Sequence, residues 1–277
     1  MSTAPTPPPL AFVIGPFRGG TTLLRKVIDA HPRLYSPAET WHLLHLLRPL
    51  APQHGDTLDR QCAAAIGGHV DRDAYLRCVR SFAERFYAEA LASSSKPDAA
   101  WFVDKTPRYL EIAGLLPRLF PRAKMILLTR DPRAIAWSRY TWKHNDLHDL
   151  DAIANGVAAD VRRQADFART VRDRCLHVRY ERLCADPETV AAEVCAYLGV
   201  EPHPAMASYG AVPHHEGYGD ELTRAHARPH TDSVDRWNRP DPNGRAMSDE
   251  QAAGVLDAVG ERALRTLGMG GLIGAAA

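Results

Sequence analysis

Leu10, Phe12, Val13 and Ile14 form an apolar run of the kind a parallel sheet buries on both faces, and Gly15, Gly19 and Gly20 break it before a helical pattern opens at Thr21. Leu23, Leu24, Val27 and Ile28 then make one apolar stripe that stops near His31-Pro32. Leu34-Tyr35 is a short strand, and Trp41 to Leu47 reads as a helix up to Pro49. The stretch 51–95 is Ala-rich and helical in period, with Tyr75, Val79, Phe82, Phe86 and Leu91 on one face, and it ends in a Ser/Lys/Pro linker. Trp101 to Val103, the run KMILLT at Lys124 to Thr129, and CLHVRY at Cys175 to Tyr180 are further strands. Helices are expected from about Arg108 to Phe120, after the cap Asp131-Pro132, from Asp151 to Asp173, from Asp186-Pro187 to Leu198 before Gly199, and from the capping box Ser248 to Gln251 until about Gly268. Region 203–245 is poor in apolar period and rich in Gly, Pro, His and Arg, which predicts a long irregular loop.

This alternation of strand and helix predicts an α/β chain, a three-layer α/β/α fold with a mainly parallel sheet. The expected layout is a short disordered tail over 1–9, one domain over 10–270 carrying a helical insertion at about 51–95 and the late loop at 203–245, and a flexible end over 271–277. With 277 residues, 45% of them hydrophobic, one large domain can close a core. A net charge of +1 gives no basis for bulk attraction to nucleic acid or a membrane surface, so any anion site must be local. Met1 to Pro9 lacks the layout of a signal peptide and no apolar run reaches the ~18 residues of a membrane helix, so a cytoplasmic location is expected. The five cysteines have no CxxC pair and read as reduced thiols.

The chemistry concentrates where strands end. Gly15 and Gly20 have the spacing of a phosphate-binding loop, but Thr21 stands where a nucleotide triphosphatase carries its Lys, with Thr22 in the Ser/Thr place. Arg18 supplies a permanently charged, planar donor inside that loop. Arg18, Lys105, Arg130 and Tyr180 each follow or end a strand, and ligands of open α/β sheets bind at that edge. Three cations there suit a multiply anionic ligand.

The segments PFRGGTTLLRKVIDAHPRLYSPAE, DKTPRYL, LLTRDPRAIAWSRY and VRYERL together resemble the sulfotransferases that use 3′-phosphoadenosine 5′-phosphosulfate (PAPS) as donor and release 3′,5′-adenosine bisphosphate (PAP). The resemblance implies the P-loop-like fold of that family, with Arg18, Gly19, Gly20, Thr21 and Thr22 on the 5′-phosphosulfate, Arg130 and Ser138 on the 3′-phosphate, and Tyr180 beside the nucleotide. RPHTDSVDRW looks like the family's late loop, which implicates Arg236 and, more weakly, Arg228, Ser233 and Trp237. Glu39 has two readings. Ser36, Pro37 and Glu39 fit a helix capping box at N-cap, N1 and N3, whereas the resemblance makes Glu39 the general base, with Lys105 and Arg18 stabilising the transferred group. A His could hold that role instead, as in other sulfotransferases.

Tyr35, Trp41, His42, His45 and, in the late loop, His215 are the expected lining of the acceptor pocket, and their character favours an apolar or aromatic hydroxyl. The implied acceptor is a small natural-product or lipid-like molecule, free or carrier-bound. No metal is implied, because fixed cations take its place, and a homodimer is compatible with the pattern. The rivals are a P-loop kinase using ATP, for which Asp131 would be the strand-end acid although it is better explained as a helix cap, and a nucleotide-binding protein without catalysis.

Overall fold

A computed structural model describes residues 5–51, 57–142, 149–213, 227–241 and 244–273. Five strands, β1 (Leu10–Ile14), β2 (Leu34–Tyr35), β3 (Trp101–Lys105), β4 (Lys124–Thr129) and β5 (Cys175–Arg179), form one sheet in the order β2-β3-β1-β4-β5. Every pairing is parallel, with Val13 beside Lys105 and Ile14 beside Leu127. β1 is central and buried throughout, as its unbroken apolar run requires.

Alternation along β1 divides the core in two. Phe12 and Ile14 point into a cluster closed by α2 (His42–Leu47), α4 (Arg72–Ala92), α6 (Pro132–Tyr140), α7 (Leu150–Val171), α10 (Asp249–Val259) and α11 (Glu261–Thr266). Ala11 and Val13 point into the other, closed by α1 (Thr21–Asp29), α8 (Tyr180–Ala185) and α9 (Pro187–Leu198). These are the three layers expected from the sequence. Two further helices, α3 (Thr57–Gly67) and α5 (Leu116–Leu119), complete the described set. Among the described residues no helix is long and apolar enough to cross a membrane.

Local signals hold in most places. Asp131 caps α6 with Pro132 at its first position, Asp186 caps α9, Gly199 ends α9 at φ 72°, and Ser248 and Gln251 form the capping box of α10. All five cysteines are free thiols.

Three expectations are corrected. The helix expected over 108–120 is two 3₁₀ turns, Pro107–Glu111 and Ala113–Leu115, running into the single turn of α5, where Pro117, inside the expected span, cannot donate to a continuous α ladder. The buried stripe of α4 is Leu76, Val79, Ala83, Tyr87 and Leu91, and Phe82 lies on the exposed side of it. Ser36 caps no helix. Its N–H donates to Asp29 and its hydroxyl to the Val103 carbonyl, while the Ser36 carbonyl accepts from Arg25, so tertiary bonds to α1 and β3 prevail over the local capping box.

Candidate active site

The loop Gly15 to Gly20 turns the chain from β1 into α1, and it does so with two residues in the left-handed region, Arg18 at φ 66° and Gly20 at φ 94°. Gly20 is the N-cap of α1, and no side chain caps that end. Its lack of a Cβ is structural, since one added there would lie 2.2 Å from the Tyr180 ring. Tyr180 opens α8 just beyond β5, so the loop and the fourth long strand meet face to face.

On the β4 side of the loop lies a cavity of about 440 Å³, within the range of about 300–1,000 Å³ typical of small-molecule sites. Arg18, Arg130, Ser138, Tyr180 and Arg236 line it together. Arg18 Nε donates to Ser138 Oγ at 2.9 Å, and Arg130 donates to the carbonyls of Arg18 and Ser233 at 3.0 and 2.8 Å. The Arg130 guanidinium lies over the Tyr180 ring at 4.1 Å, and the Tyr180 hydroxyl pairs with Ser233 Oγ at 2.6 Å.

Burial and the neighbouring Arg130 and Arg139 bring the Arg18 guanidinium down to about 10. Arg18 keeps its charge at neutral pH; burial is the main cause of the depression, and the nearby Arg130 and Arg139 add to it. Arg130 Nε is buried with no hydrogen-bond partner among the described residues, a donor left over for an anion. Arg18, Arg130 and Ser138 thus turn cationic and hydrogen-bonding groups toward this cavity, with aromatic rings around them, a lining that suits an anionic ligand.

On the β3 side the loop faces a second cluster. In the parallel register Lys105 shares its face with Val13, toward α1, and its Nζ reaches Thr22 Oγ1 at 3.4 Å and Glu39 Oε1 at 2.8 Å. The Lys105 side chain is wholly buried and that of Glu39 nearly so. Trp41 donates its indole N–H to Glu39 Oε2 at 3.0 Å. Trp41 itself sits at φ 58°, a conformation that costs an ordinary residue about 1–3 kcal/mol.

Asp104, one residue before Lys105, points to the opposite face and is buried. It accepts hydrogen bonds from Tyr87 and Thr40, each at 2.7 Å, and from Thr106 at 3.2 Å. Complete burial pushes its carboxyl up to about 6, against the opposing pull of those hydroxyls and of Lys105.

The expected acceptor lining is dispersed. Tyr35 belongs to the core, edge-on to Phe102, where its phenol is pushed up by burial. His42 stacks on Phe86 with centroids 4.1 Å apart, and burial lowers it to about 4, so it is neutral at pH 7. His45 is exposed on α2. His215 lies outside the described residues. In the late loop Arg236 and Trp237 face the cavity, while Arg228 turns away to Glu188. Asp131 grips the Arg133 guanidinium besides capping α6, and Arg133 carries Trp237 on its face at 4.2 Å. Among the described residues no group of His, Cys, Asp or Glu side chains is arranged to hold a metal ion.

Lining residues not anticipated are Leu23, Ala134, Trp137, Thr141, Trp142, Tyr209 and His230. Ala134, Trp137, Ser138 and Thr141 fall at i, i+3, i+4 and i+7, so once Ser138 is taken as a ligand the rest of that helix face follows. Nothing local in the sequence marks Tyr209 or His230.

The sequence profile of the sulfotransferase family matches residues 9–204, which contain the loop, Glu39, Lys105, Arg130, Ser138 and Tyr180. The chain belongs to the sulfotransferase family. It is 33% identical over 227 residues to the nodulation protein NoeE of Sinorhizobium fredii, covering 73% of this chain and 53% of that one. It is 31% identical over 199 residues to protein-tyrosine sulfotransferase 2 of Gallus gallus, covering 69% and 51%. The chain thus spans about half the length of these curated relatives. Among solved structures, the sulfotransferase domain from the Synechococcus PCC 7002 olefin synthase superposes with a TM-score of 0.61 at 25% identity, covering 92% of this chain and 95% of that one. The sulfotransferase domain from the curacin biosynthetic pathway, at 20% identity and a TM-score of 0.58, shares the fold. The kinase alternative loses its support, as Asp131 is occupied as a cap and as the partner of Arg133.

Two outcomes test this geometry. Gly20→Ala is expected to lower the unfolding free energy by at least about 2 kcal/mol through its positive φ and the Tyr180 contact. Gly114→Ala, where an added Cβ meets nothing within 4 Å, serves as the control in urea denaturation. Equal effects would contradict the account. The raised Asp104 carboxyl binds its proton more tightly when folded than when unfolded, so its contribution is complete below the unfolded value near 4 and is lost as pH rises through about 6. Stability of the wild type relative to Asp104→Asn should therefore grow by up to about 3 kcal/mol between pH 7 and pH 4. A pH-independent difference would contradict it.

Proposed function

We propose that the protein transfers a sulfuryl group from 3′-phosphoadenosine 5′-phosphosulfate to a hydroxyl or phenol of a small-molecule acceptor, in line, with Glu39 as general base. The observation that carries this reading is the Lys105–Glu39 pair, 2.8 Å apart and beside Thr22 at the opening of α1. A base and a cation stand together there, where the loop would hold the group being transferred.

When bound, the donor supplies the sulfuryl group and departs as PAP. Arg130, Ser138 and Arg18 would hold its phosphates on the β4 side, which the unpartnered Arg130 Nε and the cationic lining support. Tyr180, Trp137 and Trp237 supply apolar faces in the same cavity. Lys105, Arg18, the first N–H groups of α1 and Thr22 would stabilise negative charge at the reacting end, in the manner of phosphoryl-transfer sites, where positioning and fixed charge supply most of the catalysis. A donor oxygen would give the Lys105 ammonium a further, negatively charged acceptor and so release Glu39 Oε1. That oxygen can then take the proton of the acceptor hydroxyl as the new O–S bond forms.

Trp41, Phe82, Phe86 and the neutral His42 give the region after Glu39 an aromatic, weakly charged character, which favours a natural-product or lipid-like acceptor. A phenol is the specific alternative, supported by the protein-tyrosine sulfotransferase named above, and a tyrosine in a peptide is then a second acceptor class.

The test is PAPS-dependent sulfation of a panel of alcohols, phenols and tyrosine peptides, read by mass spectrometry. Lys105→Ala should lower kcat at least ~100-fold, the loss typical of removing one preorganised charge. Glu39→Gln should lower it by about 100- to 10,000-fold. Unchanged turnover in Glu39→Gln would move the base elsewhere, and a wild type that sulfates no acceptor would favour a binding protein without catalysis.

A further inference from the structure

The segment that carries Glu39 is held by a hydrogen-bond network that ends on a carboxylate outside the reaction. Asp104 accepts from the hydroxyls of Tyr87, Thr40 and Thr106. An ionised carboxylate only accepts, so the direction of every neighbouring bond is forced. The Thr40 hydrogen goes to Asp104, which leaves the Tyr109 hydroxyl to donate to Thr40 Oγ1 at 2.9 Å. The Leu43 N–H then donates to the Tyr109 oxygen at 3.2 Å, and the Thr40 N–H to Thr106 Oγ1 at 3.2 Å. Thr40 and Leu43 flank the turn at Trp41, the residue held at φ 58°. Because of that turn, the indole of Trp41 folds back two residues to Glu39 Oε2, while Oε1 is left to Lys105.

We propose that Asp104 and Thr40 are positioning residues, which lock the left-handed turn at Trp41 so that its indole N–H fixes one oxygen of Glu39 and aims the other at the reacting end. The proposal deepens the reading of Glu39 as general base and rests on it for its effect on rate. Strained backbone at a functional site persists only where the surroundings over-determine it, and here they do so through two hydroxyls and two backbone amides on either side of one residue. The groups facing Asp104 are Tyr87 from α4, Thr40, Thr106 and Tyr109, with the Lys105 charge on the other face of the strand; the hydroxyls of Tyr87, Thr40 and Thr106 donate to it, which opposes the rise that burial imposes.

The full chain is tested by ¹H–¹⁵N correlation spectra, with the Trp41 indole resonance assigned by its loss in Trp41→Phe. In the wild type it should show the downfield shift of an indole bonded to a carboxylate, which Glu39→Gln removes. Thr40→Val, which keeps the side-chain shape and deletes the hydroxyl, should move the resonance toward the free-indole position, and Thr40→Ser should restore it. Asp104→Asn should act as Thr40→Val does, and if that variant does not fold, the Thr40 pair decides. With p-nitrophenol as probe acceptor, Thr40→Val should lose about 10- to 100-fold in kcat with KM unchanged, the scale of a misplacement near 1 Å. Thr40→Ser should recover most of that loss. An indole resonance unmoved in Thr40→Val overturns the positioning proposal. A moved resonance with unchanged turnover overturns instead the reading of Glu39 as base.

Discussion

A wholly buried ammonium is the constraint on which the rest of this site depends. Lys105 ends β3 with no exposure to solvent, and a charge in that position is tolerable only with an opposite charge at hydrogen-bond distance. Glu39 provides it, and so the chain after β2 is bound to bring a carboxylate across the end of β3. The segment from Ser36 to Thr40 is accordingly pinned at both ends. Arg25 and Asp29 of α1 hold Ser36, the Val103 carbonyl takes its hydroxyl, and Thr40 is tied to Asp104 and Tyr109. Residues 104 and 105 alternate across the sheet, so one strand end anchors the frame on one face and the functional cation on the other.

The central position of β1 gives the cleft its two halves. β3 and β4 flank β1, and the loop after β1 therefore separates Lys105 and Glu39 from Arg130, Ser138 and Tyr180. A ligand lying across the loop would meet the arginine-lined cavity on one side and the Glu39 carboxylate paired with Lys105 on the other. A protein with a net charge of +1 concentrates Arg18, Arg130 and Arg139 around that one loop, which gives the site an anion-attracting field without making the surface basic.

Much of this was legible in the sequence because it depends on local rules. Strand-end cations, the glycine loop, the Asp131, Asp186 and Ser248 caps and the three-layer alternation follow from patterns within a few residues of one another. Glu39 shows where local reading stops. Ser36, Pro37 and Glu39 satisfy a capping box on paper, yet Ser36 spends its hydrogen bonds on Asp29 and Val103, partners 7 and 67 positions away. On the acceptor side local reading stops for the same reason: Tyr35 is consumed by the core, and His42 is a neutral ring packed on α4, because burial decides what an aromatic or a histidine does. Tyr209 and His230 reach the cavity from a region without period, where only tertiary placement identifies them.

We propose that the cavity beside the loop binds a nucleotide with a 3′-phosphate and that the charge meeting it comes from the protein's own side chains. Isothermal titration calorimetry of 3′,5′-adenosine bisphosphate against ATP with magnesium tests it most directly. The bisphosphate should bind at least about tenfold more tightly, the value of one charged hydrogen-bonding group, and Arg130→Ala should abolish that preference. Tighter binding of ATP with magnesium, or an undiminished preference in Arg130→Ala, would contradict it.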